Sequence, residues 1–222
     1  MTGGALAVVI FDLDGVLVDS EPVHRRASRR LFAPHDLTEA EYARFIGVAV
    51  EPYMRWARAR FGLDEPVERL IERYTAAVTT EIAAGELPPL DGARELIEAA
   101  RARGLRVAVG SQSIAAWVAA TLRATGLDGR FDAIVSGDEV ERGKPAPDVY
   151  LLAAKRLGVA PERCLAIEDS PAGVQSAAAA GMLVVQSRQA SSAAEPQPLA
   201  RLVVGSLREV DLARLPDRLA AG

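Results

Sequence analysis

The chain has 222 residues and a formal net charge of −4, with half its residues hydrophobic and a quarter charged. That balance suits one sizeable α/β core with a smaller second unit, and it argues against any broad electrostatic attraction to nucleic acid or anionic membrane. No apolar run reaches the roughly 20 residues that cross a bilayer, Met1–Ala7 lacks the basic start of a signal peptide, and Cys164 is the single cysteine, so neither an intrachain disulfide nor a cysteine zinc cluster is expected. The expectation is a cytoplasmic protein, a monomer or weak dimer, with neither nucleic acid nor membrane as partner.

In chain order, Leu6–Asp12 opens as a buried strand and is followed, from Val16 to Pro89, by helical periodicity alone: Glu21–Phe32, Glu39–Phe45, Glu51–Phe61 and Pro66–Ala84. This stretch is read as an inserted helical domain over residues 16–89, with 1–15 and 90–222 forming the core. Val16–Ser20 and Pro88–Pro89 are its expected hinges, and Trp56, Tyr53 and Phe61 its apolar centre. After it, strands at Arg106–Ser111, Ala133–Ser136, Cys164–Glu168 and Met182–Gln186 alternate with helices at Gly92–Arg103, Ile114–Ala124, Asp148–Leu157 and Pro171–Ala180. Asp91 and Ser113 stand where N-caps belong, and Gly104, Gly126, Gly158 and Gly181 where helices stop. A sixth short strand is expected at Leu202–Gly205, after a polar surface loop at Ser187–Pro198. Near-continuous apolar strands alternating with helices indicate an α/β fold, a doubly wound parallel sheet covered on both faces.

Ligands in such a sheet bind beyond the carboxyl ends of the strands. Those ends read Asp12-Leu13-Asp14-Gly15, Ser111-Gln112-Ser113, Gly143-Lys144-Pro145 (after the third strand) and Glu168-Asp169-Ser170. Crowded carboxylates repel one another and pay for desolvation unless a cation joins them. Oxygen-only donors suit Mg²⁺, and a hydroxyl with an ammonium suits phosphate oxygens. Phosphoryl transfer needs mainly positioning and charge neutralisation, which this inventory supplies. Lys144 stands out, because two of the 26 basic residues are lysines and the rest are arginines.

These four segments resemble, in order and spacing, the four motifs of the haloacid dehalogenase superfamily, with the helical insertion where its α-helical cap domain belongs. The resemblance implies a Rossmann-like core and a phosphatase with Asp12 as nucleophile and Asp14 as general acid and base. It implies phosphate binding by Ser111, Gln112 and Lys144. It also implies Mg²⁺ held by Asp12, the Asp14 carbonyl and Asp169, with Glu168 ligating directly or through water. Glu21, His24, Gly47 and Arg55 are the candidate substrate contacts in the insertion; for His24, contact with Asp14 or substrate and simple exposure are both open.

Within the superfamily, Asp14 disfavours dehalogenation, and the absence of lysine before Gly143 excludes the imine chemistry of phosphonate hydrolases. The implied reaction is hydrolysis of a small phosphorylated metabolite, such as a sugar phosphate, through an aspartyl-phosphate. The alternatives are a β-phosphoglucomutase-type mutase, whose second-phosphate donors are replaced here by Val50 and Ile114-Ala115, and a non-catalytic phosphometabolite-binding protein.

Overall fold

The computed structural model describes residues 5–46, 49–85, 87–190 and 195–215. Two compact units result, one formed by residues 1–19 and 88–222 and the other by 20–87. The larger begins with β1 (Val8–Phe11), resumes with α5 (Ala93–Ala102), and continues through β2 (Arg106–Gly110), α6 (Ala115–Ala124), β3 (Ala133–Val135), α7 (Asp148–Arg156), β4 (Cys164–Glu168), α8 (Pro171–Ala179), β5 (Leu183–Ser187) and β6 (Leu202–Val204). All neighbouring strands pair in parallel in the order β3-β2-β1-β4-β5-β6. The order reverses between β1 and β4, the place where an open α/β sheet leaves a crevice at its carboxyl edge.

β1 is a run of four fully buried residues. Because side chains alternate along a strand, Val8 and Ile10 pack with Ala108, Val149, Ala153, Val174 and Ala177 in one cluster with α7 and α8. Val9 and Phe11, on the other face, are equally inaccessible. Both faces of β1 are therefore covered, and none of its residues alternates outward to water.

The larger unit keeps more of the chain after β1 than the sequence suggests. Val16, Leu17 and Val18 are fully buried. Val18 bridges Asp14 on one side and Pro89 on the other, and the Leu90 amide donates to the Leu17 carbonyl. Apolar burial and these backbone bonds shift the boundary from 15/16 to 19/20, and from 89/90 to 87/88. Val16–Val18 is thus packed within the larger unit.

The smaller unit holds α1 (Glu21–Phe32), α2 (Glu39–Ala43), α3 (Val50–Phe61) and α4 (Val67–Ala84). Phe32, Tyr53, Phe61, Leu70, Tyr74 and Val78 are buried in it. Phe45 lies 4.8 Å from the rings of both Tyr53 and Trp56, so the aromatic group is this unit's packing centre. Glu81, almost inaccessible, is paired with Arg26 at 3.0 Å and Arg30 at 2.9 Å. Among the described residues no helix is long and apolar enough to cross a membrane.

Two expected N-caps serve elsewhere. Asp91 forms a two-point ion pair with Arg208, at 2.7 Å for each contact, and α5 starts after Gly92. Ser113 does not cap α6; the Ala115 amide donates instead to Asp138 Oδ1 at 3.0 Å. In the first case a distant arginine takes the side chain of the expected cap, and in the second a distant aspartate accepts an amide at the start of the helix. Residues 191–194 of the expected polar loop lie outside the described residues, but its far end is anchored. Buried Gln186 accepts the Gln197 amide at 2.8 Å and donates to the Glu195 carbonyl at 3.1 Å.

Candidate active site

Strand register brings the chemistry together. Phe11 pairs with Ile167 and with Val109, so the next residue on each strand, Asp12, Glu168 and Gly110, emerges at the same level of the sheet edge. Single carboxylate oxygens of Asp12, Glu168 and Asp169 lie within 4.8 Å of one another.

Lys144 enters this group from the loop before α7 with its side chain 5% exposed. Its ammonium donates to Asp12 Oδ1 at 2.7 Å, Glu168 Oε1 at 2.6 Å and the Gly110 carbonyl at 3.0 Å. An ammonium has three N–H groups, and all three are matched by oxygens. Burial alone would lower the Lys144 pKa, but the charges of Asp12 and Glu168 and their hydrogen bonds carry it above the usual lysine value. The loop itself is held by the Lys144 amide, which donates to Gln112 Oε1 at 2.7 Å.

Glu168 is fully buried and saturated. Oε1 accepts from Lys144 and from the Tyr150 hydroxyl at 2.7 Å, while Oε2 accepts from the Asp169 amide at 3.1 Å, the Ser170 amide and the Ser170 hydroxyl. Burial first, then Glu168, push the Tyr150 phenol well above its ordinary pKa, so it stays a donor. Tyr150 was not singled out in the sequence. Its signal is an aromatic residue with a polar tip in the first turn of a helix that starts directly after the lysine loop.

The remaining carboxylates are held uneasily. Burial raises Asp12 well above the usual carboxylate range; Lys144 opposes this, and Glu168, Asp169 and Asp14 add to it. Asp169 is pushed up to about 7 by burial and then by Glu168, against the pull of Lys144. One ammonium therefore does not neutralise the group. Its hard oxygen donors and surplus negative charge fit a small divalent cation.

Gly15 makes the approach of Asp169 feasible. It has φ of +82°, and a Cβ there would lie 2.0 Å from Asp169 Oδ2. Gly15→Ala is expected to destabilise the protein by about 1–3 kcal/mol through the positive φ and to displace Asp169. A thermal melt and a cation titration check this; an unchanged melting point with unchanged cation affinity would refute it.

The other expected site residues divide sharply. Ser111 is fully buried at the end of β2, and its hydroxyl accepts the Ser113 amide at 2.9 Å. Asp14 Oδ2 accepts from the Ser113 hydroxyl at 2.7 Å, a contact the sequence reading missed by assigning Ser113 to capping. The Gln112 side chain is committed to the Lys144 loop. In the smaller unit, half-buried His24 has Nδ1 3.0 Å from the Tyr74 hydroxyl. Glu21 hydrogen-bonds the Tyr42 phenol, whose pKa rises chiefly through burial. Arg55 is exposed and pairs with Glu51 one helical turn away, at 2.5 Å. Gly47 lies outside the described residues.

Residues 6–181 match the haloacid dehalogenase-like hydrolase family. The chain is 40% identical over 191 residues to Protein CbbY of Rhodobacter capsulatus, covering 81% of this chain and 84% of that protein. It is 36% identical over 188 residues to fructose-1-phosphate phosphatase YqaB of Escherichia coli, covering 82% and 96%. Crystal structures of CbbY from Rhodobacter sphaeroides superpose with a TM-score of 0.82 for the phosphate complex (30% identity) and 0.79 for a mutant bound to xylulose 1,5-bisphosphate (29%). Each superposition covers 92% of this chain and 96% of the other. With a six-stranded parallel sheet, four strand-end motifs converging and a family match over most of its length, the chain belongs to the haloacid dehalogenase-like hydrolases.

Proposed function

We propose that this protein is a Mg²⁺-dependent phosphatase of small phosphorylated metabolites, sugar phosphates in particular, working through an aspartyl-phosphate on Asp12. The observation that carries the proposal is the buried Asp12–Lys144–Glu168 group with Asp169 beside it and Asp14 two residues on. The similar proteins named for phosphosugars support the substrate class. A cytoplasmic location and a small-molecule partner belong to the same proposal.

In this reading an Asp12 carboxylate oxygen attacks phosphorus as the ester P–O bond breaks, and Asp14 delivers a proton to the departing alcohol oxygen. Water then attacks the phosphorus of the acyl phosphate, Asp14 takes its proton, and inorganic phosphate leaves with Asp12 restored. Lys144 keeps Asp12 ionised against its burial. On phosphate binding it passes a donor from Asp12 to a phosphate oxygen, freeing the carboxylate to attack. Ser111 and the Gln112 segment hold other phosphate oxygens. Glu168, saturated by five donors, fixes Lys144 and the start of α8. If bound by Asp12, Asp169 and the Asp14 carbonyl, with the donor-saturated Glu168 contributing its charge from behind rather than a direct bond, Mg²⁺ would neutralise the crowded carboxylates and the phosphate charge.

Activity is expected to vanish with EDTA and return with Mg²⁺, while Ca²⁺, which prefers more ligands and looser geometry, inhibits. A binding readout independent of turnover follows from Asp169. Its pKa is raised in the folded protein, so between about pH 4 and 7 the native state binds more protons than the unfolded chain. Its contribution to the stability of the metal-free protein therefore falls as pH rises through that window. Mg²⁺ competes with those protons. The rise in melting temperature on adding Mg²⁺ should be larger at pH 8 than at pH 5. Full turnover in metal-free buffer, or an equal Mg²⁺ shift at both pH values, would count against the cation site.

A mutase would convert β-glucose 1-phosphate, primed with the 1,6-bisphosphate, to glucose 6-phosphate faster than it releases phosphate. The expected result is phosphate release or no reaction.

A further inference from the structure

The end of β2 carries two hydroxyls, and the chemistry above uses only Ser111. Ser113 differs from an ordinary helix-start serine in three respects. Its helix does not consume its hydroxyl, because Asp138 accepts the Ala115 amide while Ile114 occupies the N-cap position. Its backbone is tethered at both ends: the amide donates to Ser111 Oγ at 2.9 Å, and the carbonyl accepts the Gly137 amide at 2.9 Å. Gly137 is required for that second tether, since a Cβ there would lie 2.1 Å from the Gln112 carbonyl oxygen. From this fixed platform the hydroxyl donates to Asp14 Oδ2 at 2.7 Å.

An aspartate needs such a partner if its direction matters. The terminal torsion of a carboxylate is broad, with no sharp rotamer well to hold the plane of the two oxygens. Asp14 follows Leu13 in a tight backbone turn closed by the Gly15 amide and the Val18 carbonyl at 2.7 Å, which fixes its Cα but leaves that last rotation to side-chain contacts.

We propose that Ser113 is a positioning residue for proton transfer, holding the Asp14 carboxylate plane in the orientation from which it protonates the leaving alcohol. Resting on the reading of Asp14 as the proton donor, this makes the strand-end segment Ser111–Ser113 bifunctional. Its first serine faces phosphate, and its second aims the acid. Ser111 and Ser113 are coupled, because the Ser113 amide occupies an acceptor site on Ser111 Oγ and so biases where the Ser111 hydroxyl points.

The test is the dependence of kcat/KM on the leaving group, measured on the full chain with Mg²⁺ using p-nitrophenyl, phenyl and benzyl phosphate. The nitrophenolate departs without a proton, whereas benzyl alcohol needs one. kcat/KM reports steps up to the first transfer and is untouched by hydrolysis of the acyl phosphate. Ser113→Ala is expected to lower kcat/KM by under about threefold for p-nitrophenyl phosphate and by about 10–100-fold for benzyl phosphate, a part of what general acids contribute. Ser113→Thr, which keeps the hydroxyl, should restore most of the benzyl rate. An equal loss on all three esters, or no rescue by threonine, would overturn the positioning role while leaving the phosphatase reading intact. Failure of the wild type to release phosphate from any of the three would remove that reading and the role of Ser113 with it.

Discussion

Replacing Asp12 by asparagine is expected to lower phosphate release at least about 1000-fold, in the range seen when a nucleophile that works as part of a unit is removed, while leaving the protein as stable as the wild type or more so. The substitution is isosteric. The asparagine carbonyl can still accept the Lys144 hydrogen bond that Asp12 Oδ1 now accepts at 2.7 Å. What disappears is a nucleophilic oxygen and one of three carboxylates packed within 4.8 Å. Burial and the neighbouring Glu168, Asp169 and Asp14 charges make an ionised Asp12 unfavourable without a cation, with Lys144 alone opposing them. Removing that charge therefore relieves the metal-free protein. The same change should weaken Mg²⁺ affinity, so the stabilising effect of Mg²⁺ should shrink. Phosphate release and thermal melts with and without Mg²⁺ provide the check. Residual turnover above a thousandth of wild type, with contaminating phosphatase excluded, would end the nucleophile assignment. A large drop in melting temperature would show that Asp12 is structural.

The strands and the site they present were legible because one physical rule governs both. A strand buried on two faces must be apolar throughout, so runs such as Val8–Phe11 and Cys164–Ile167 declare themselves, and the first polar residue after each marks the sheet edge. Asp12 and Glu168 are such residues, and parallel register then places them side by side. Side-chain choices among several partners were not legible. Ser113 and Asp91 both sit where local rules assign caps, yet Asp138 and Arg208 arrive from distant parts of the chain. Val16–Val18 read as a linker because it follows a glycine turn, although its bridges to Asp14 and Pro89 bury it. In the smaller unit the helices were visible from their period, and so was the one-turn pair of Arg55 with Glu51, but His24 and Glu21 took partners within that unit that no spacing announces. Period fixes which face a residue is on; it does not choose between a tyrosine, a carboxylate and water.

Lys144→Arg should cost about a hundredfold or more in kcat/KM although the charge is kept, because the site is built for a point donor. In a chain that otherwise uses arginine almost exclusively, lysine stands where three acceptors, Asp12 Oδ1, Glu168 Oε1 and the Gly110 carbonyl, surround one nitrogen at 2.6–3.0 Å. A tetrahedral ammonium satisfies all three; a planar guanidinium is larger and presents its donors in a fork. The Tyr150 ring, 5.1 Å from the ammonium, further limits the volume. Lys144→Met should do worse. It leaves Asp12 and fully buried Glu168 without their counter-charge, for which breaking one side of a buried pair suggests a loss of about 3–5 kcal/mol, seen as a lower midpoint in urea. The pH dependence separates charge from fit. Lys144 is the one neighbour that lowers the Asp12 pKa, so in the methionine variant that pKa rises further, and residual activity should climb toward higher pH than in wild type. In the arginine variant, where the charge remains, the profile should keep the wild-type position at reduced height. Arginine activity within threefold of wild type would mean that only charge is required at this position, and a methionine profile superimposable on wild type would mean that Lys144 does not control the ionisation of Asp12.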